Sequence, residues 1–127
     1  MNDFQTPLKK ARGWGAARTG TEHFVIQRFT ATALVFLGLW FLYFVINLIG
    51  LDYLAAKEMV SKPWNAMLLV IFLISIFWHA QLGIQVVLED YIHGSLMALV
   101  VQTAVRFIAV IGAVISVFAV VRIALGV

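Results

Sequence analysis

Cysteine is absent from the 127 residues, and charge is scarce: nine Lys and Arg with six Asp and Glu make up 12% of the chain. The lack of cysteine excludes disulfides, and it excludes a cysteine-ligated iron–sulfur cluster held by this chain. A soluble domain averages about 25% charged residues. A chain with so few charges and 63% hydrophobic residues cannot cover the surface of a small water-soluble globule, and it reads as an integral membrane protein. No G-x-G-x-x-G follows a strand pattern, which removes a dinucleotide-binding domain. The net charge of +3 comes mostly from the N-terminal arm. No basic stripe with interleaved aromatics accompanies it, so the charge reports orientation and no nucleic-acid partner is expected. The N-terminus does not read as a cleaved signal, because the first long apolar run starts near Phe29 and no small-residue cleavage site follows a short apolar core. Repeats and low-complexity tracts are also missing.

Three long apolar segments are present, at about 29–51, 64–88 and 95–125. Each exceeds the ~20 residues a helix needs to cross about 30 Å of hydrocarbon. Barrel strands would show as short alternating segments, and none occur. The expected fold is therefore all-α integral membrane, with a polar arm over 1–22 and a three-helix transmembrane unit over 23–127. Thr21 and Glu22 are candidate caps for a helix starting near His23. The connector LDYLAAKEMVSKP ends on Pro63, whose fixed φ suits a first helical turn. The connector EDYIHG offers Gly94 as a break. Lys9, Lys10, Arg12, Arg18 and Arg28 precede the first apolar core, against Lys57 and Lys62 in the first connector. By the positive-inside rule the N-terminus and the 89–94 connector are expected in the cytoplasm, and the C-terminus outside.

One ionisable side chain, His79, stands in the middle of the run MLLVIFLISIFWHAQLGIQVVLEDY. A polar group at that depth is disfavoured by the bilayer and is a functional candidate. At ~1.5 Å per residue it lies roughly 16 Å below Asp90, which with Tyr91 falls at the interface. Ser75, His79 and Gly83 are spaced i, i+4, i+8 and share one helix face. That face suits a planar macrocycle: neutral imidazole ligates haem iron, Ser75 or a backbone carbonyl one turn back can orient its other nitrogen, and Gly83 leaves room. The plainer alternative is a histidine satisfied by a neighbouring helix. Asp90 and Tyr91 likewise have plain readings, as a helix end in water and an interfacial anchor. Their functional reading is a phenol donating to a quinone carbonyl beside a supporting carboxylate. His23 and His93 read as interfacial, so a second iron ligand has to come from another chain.

The stretch HAQLGIQVVLEDY, with its H-A-x-x-G spacing and terminal D-Y, resembles the small D-type membrane-anchor subunit of succinate dehydrogenase (succinate:quinone oxidoreductase). HFVIQRFTATALV resembles the segment that precedes the first helix in that family. The resemblance implies His79 as an axial ligand of haem b, with the iron shared with a partner subunit. It implies Tyr91 as hydrogen-bond donor to ubiquinone, Asp90 as its support, and Arg28 near the haem propionates, where a guanidinium forms charge-assisted bonds to carboxylates. It further implies a haem-binding anchor bundle in a four-subunit complex. The partners are a flavoprotein that oxidises succinate, an iron–sulfur subunit, and a second anchor of cytochrome b type, seated in membrane lipid of a bacterial-type inner membrane. The chain is not catalytic alone. Two departures stand out: the arm is longer than a minimal anchor needs, and Gly94 and Ser95 follow the D-Y segment where some members place proline.

Two rival readings remain beside this one. A fumarate-reducing anchor working with menaquinol is disfavoured by the placement of the D-Y pair. A structural or transport membrane protein without haem leaves the His79 to Asp90–Tyr91 spacing unexplained. Arg106, with Gln102 one turn before it, either faces the cofactor or partner helices and balances a propionate, or snorkels toward lipid phosphate. Trp14 and Trp64 read as interfacial, Trp40 and Trp78 as buried packing residues, and Arg122 as an outer anchor. Gly38, Gly112 and the alanines from Ala109 to Ala119 are expected to allow close helix approach.

Overall fold

The computed structural model of the chain describes residues 18–92 and 94–127, with side chains from Phe24 onward. The arm with Lys9, Lys10, Arg12 and Trp14 lies outside the described residues, as do His93 and the side chains of Arg18, Thr21, Glu22 and His23. Four α-helices occur among the described residues: α1 (Arg18–Leu48), α2 (Tyr53–Ser61), α3 (Pro63–Tyr91) and α4 (Ser95–Leu125). Three spans are long and apolar enough to cross a membrane, Phe24–Leu48 within α1 and the whole of α3 and α4. The chain is an all-α membrane protein, as its composition requires.

Local chemistry sets the helix ends. Gly50, at φ 84°, reverses the chain after α1, a backbone conformation that a side chain disfavours. Asp52 caps α2 by accepting from the Ala55 amide at 2.9 Å. Pro63 opens α3, where its missing N–H is no loss. Gly94 is the N-cap of α4, and Gly126, at φ 76°, closes it in the left-handed conformation.

Four boundaries differ from the sequence expectation. Helix α1 is already formed at Arg18, so Thr21 and Glu22 lie inside it rather than capping it. The apolar span begins only at Phe24, so apolarity does not mark where the helix starts. The first connector is not a plain loop: its LAAKEM run consists of good helix formers behind an Asp cap, and it folds as α2. Helix α3 continues past Leu88 through Glu89, Asp90 and Tyr91, because a helix can leave the hydrocarbon without unwinding. At the other end of the first apolar segment, the helix stops at Leu48.

Helix α3 packs against both α1 and α4, and α2 rests on the ends of α3 and α4. Helices α1 and α3 run antiparallel. Phe41 stacks on Phe72 with centroids 4.5 Å apart, and Trp40 stacks on Phe44 at 5.3 Å. The buried side chains are Phe44, Ala66, Leu69, Phe72 and Leu82, all apolar. Helices α3 and α4 come close at Gly112, where a Cβ would sit 2.6 Å from the Phe77 ring. Gly38 has open space around its Cβ position, so the expected close approach there does not occur within this chain. Trp64 is exposed, and Trp40, expected to be buried, is half-buried. Trp78 is 52% exposed rather than buried, and it lines a cleft between α3 and α4.

Candidate functional site

His79 lies near the middle of α3, sixteen residues from Pro63 and twelve from Tyr91. It is half-buried, and its Nδ1 is 3.1 Å from the Thr30 hydroxyl on α1. Thr30 comes from the turn of α1 that antiparallel packing sets beside the centre of α3. The partner expected at this nitrogen is the Ser75 hydroxyl or a backbone carbonyl, one turn back on α3 itself. The structure supplies it from another helix, and Ser75 is half-buried without bonding His79. Sequence reasoning missed Thr30. The T-A-T run after Arg28 marked a helix start, but nothing in it indicated which helix it would face.

Among the described residues Nε2 of His79 has no hydrogen-bond partner, and no group of three His, Cys, Asp or Glu side chains is close enough to hold a metal ion. The chemistry on offer is thus one imidazole nitrogen as a single ligand. One turn along the same face, a Cβ built on Gly83 meets nothing within 4 Å, so the helix surface beside the imidazole is open. A flat group bound through one axial nitrogen fits this arrangement.

Asp90 and Tyr91 occupy the last turn of α3 and both are exposed, Tyr91 to 80%. Asp90 follows His79 by eleven residues and lies about 20° round the helix from it, on the same face. Tyr91 lies about 120° round. The structure therefore lines up His79 and Asp90 but holds the acid and the phenol roughly 16–18 Å along the axis from the imidazole. These are two positions on one helix, not one pocket.

The sequence model of the Succinate dehydrogenase/Fumarate reductase transmembrane subunit family matches residues 2–121. The chain belongs to this family. Among its relatives in the family, a Rickettsia bellii protein named succinate dehydrogenase hydrophobic membrane anchor subunit is 40% identical over 90 residues, covering 71% of this chain and 72% of the relative. The Paracoccus denitrificans subunit of the same name is 32% identical over 122 residues, covering 95% and 93%. A succinate dehydrogenase membrane anchor subunit of Reclinomonas americana is 31% identical over 96 residues, covering 73% and 80%. No solved structure matches the chain.

For this transmembrane subunit, Arg28 and Arg106 lie within the spans, as does Arg122 in the last turn of α4. Arg28 is exposed, and its guanidinium lies 5.1 Å from the centroid of the Phe24 ring, one turn back on α1. It precedes Thr30 by two residues and lies about 160° round α1 from it, so it does not share the face that meets His79. Arg106 of α4 donates to Gln85 Oε1 at 3.4 Å. Gln85 in turn donates to Glu89 at 2.9 Å and accepts from Gln81 at 3.3 Å. This polar ladder runs down α3 on the side away from His79. Gln81, Gln85 and Arg106 help line a cleft of about 500 Å³ between α3 and α4, together with Phe77, Trp78 and Ala109. The sequence places Gln102 one turn before Arg106 on the same face of its own helix. The hydrogen bond instead crosses to Gln85, because the side chain leans toward the neighbouring helix.

Proposed function

We propose that the chain is the hydrophobic membrane anchor of a succinate dehydrogenase, that it supplies one axial ligand to haem b, and that it forms part of a ubiquinone-reduction site. In this reading it is a non-catalytic subunit that holds a flavoprotein and an iron–sulfur subunit to the membrane beside a second anchor of cytochrome b type. The observation that carries the reading is the half-buried His79 at mid-helix, one nitrogen engaged by Thr30 and the other free. The names of the relatives support the assembly.

Each residue of this chain has a distinct task. His79 presents one nitrogen to iron, and the open surface at Gly83, with Ser75 one turn on the other side, gives the macrocycle room. Bound haem supplies a one-electron carrier within the membrane. Arg28, exposed and without a carboxylate partner among the described residues, would pair its guanidinium with a haem propionate. Tyr91 donates its phenolic hydrogen to a ubiquinone carbonyl at the end of α3, and Asp90 accepts hydrogen bonds beside it and holds a proton route to water. The N-terminus and the Tyr91 end of α3 face the cytoplasm of a bacterial-type inner membrane, by the weight of basic residues before α1.

The test is a reduced-minus-oxidised visible spectrum of the purified complex, wild type beside His79→Ala. A b-type α-band that is lost or displaced in the variant, with flavoprotein and iron–sulfur subunits still co-purifying, supports the reading. An unchanged band moves the ligand off His79.

A further inference from the structure

Resting on the assignment of His79 as haem ligand, we infer that Thr30 is the residue that positions it, by fixing the imidazole as the Nδ1–H tautomer. The argument begins with the hydroxyl. Thr30 Oγ1 lies 2.9 Å from the Ile26 carbonyl oxygen, 3.1 Å from the Gln27 carbonyl oxygen and 3.1 Å from His79 Nδ1. A hydroxyl has one proton to give and lone pairs with which to accept. Carbonyl oxygens only accept. If the proton went to His79, Oγ1 would face two carbonyl oxygens at contact distance with nothing between them. The proton therefore goes to the backbone of α1, in the bond that threonine commonly makes back to a preceding turn of its own helix. Oγ1 is left as an acceptor toward Nδ1, and Nδ1 must carry the hydrogen.

The consequence falls on the other ring nitrogen. A neutral imidazole with hydrogen on Nδ1 has its lone pair on Nε2, which is the form a metal needs. A hydrogen bond from the distal N–H fixes the ring orientation and raises the basicity of the ligating nitrogen. Thr30 thus does from α1 what a carboxylate or carbonyl does at other histidine ligands. It also ties α1 to α3 at the depth of the ligand, so displacement of α1 would release the ring.

The test uses the whole purified complex with four substitutions: Thr30→Val, Thr30→Ala, Thr30→Ser and His79→Ala. Haem is quantified against protein, and the haem midpoint potential is measured by redox titration. Removal of the acceptor in Thr30→Val and Thr30→Ala is expected to weaken haem retention by about 10–100-fold, the usual effect of losing such a partner. The haem that remains should titrate at a higher potential, because a less basic ligand stabilises the ferric state less. Thr30→Ser should restore both values. Thr30→Ala keeps the test open should the valine variant fail to assemble, since it places no new atoms against the ring. Unchanged haem content and potential in the valine and alanine variants, with haem lost in His79→Ala, overturn the role of Thr30 and leave the ligand assignment standing. Haem retained at an unshifted potential in His79→Ala overturns the ligand assignment and the inference with it.

Discussion

Tyr91 carries its phenol at the last helical residue of α3, 80% exposed and free to meet a ligand. A single neutral hydrogen bond contributes about 0.5–1.5 kcal/mol. Tyr91→Phe should therefore slow ubiquinone reduction by up to about 10-fold, with succinate oxidation by a soluble electron-accepting dye unchanged and the haem band intact. Loss of dye reduction as well would point to failed assembly instead of a quinone contact. Arg106 makes a contrasting case. Its hydrogen bond goes to Gln85, which follows His79 by six residues and so lies about 240° round α3 from it. Arg106→Leu is expected to leave the haem spectrum and potential where they are. A shifted potential would place the guanidinium against a propionate after all. Both residues stand out in the sequence as polar groups in or beside apolar runs. Their partners do not, because the facing side chain is many residues distant.

At the scale of elements, two contacts offer tests. Asp52 holds the start of α2 through one bond to the Ala55 amide. Asp52→Ala should cost about 1 kcal/mol of local helix stability, visible as faster amide hydrogen exchange over Tyr53–Ser61 with the spanning helices unaffected. Gly112 brings α4 onto the Phe77 ring, where a methyl group would have to displace the aromatic edge. Gly112→Ala should destabilise the α3–α4 pair by about 1–3 kcal/mol, the usual penalty of overpacking. The unfolding temperature of the complex in detergent would report it, and Phe77→Leu in the same chain should recover part of the loss. The small residue at 112 was readable as a site of close approach, as was that at 38. Only the first meets a helix of this chain, since which glycine faces a neighbour depends on the rotation of each helix about its axis.

Taken whole, the molecule has little interior. None of the residues of α4 is buried, and those that are buried lie on α1 and α3. In a bilayer no hydrophobic force drives helix against helix, so packing and a few polar contacts hold the three spans together. One of those contacts, Thr30 to His79, lies at the site itself. The chain isolated in detergent should consequently be cleaved by protease in α1 and α4 faster than the same chain within the complex. Equal rates would mean that the three helices are self-sufficient. The open surface at Gly83 and the exposed Trp78 belong to the same picture, of faces that the other helices of this chain leave uncovered.

The sequence by itself determined the class of the molecule, the number and approximate limits of its spanning helices, and the candidates His79, Asp90 and Tyr91. Composition and local periodicity are sufficient for that, because bilayer thickness sets helix length and an ionisable side chain in an apolar run is conspicuous wherever it packs. It did not show the helix within the first connector, and it misplaced the ends of α1 and α3, where helix propensity and apolarity part company. Only the tertiary structure decided that Thr30 meets His79, that Ser75 does not, that Arg106 crosses to Gln85, and that Gly112 touches Phe77 while Gly38 stands open. Those facts follow from how antiparallel helices are set side by side in depth and in rotation. A helix face read from spacing has no mark on it to say which other face it will meet.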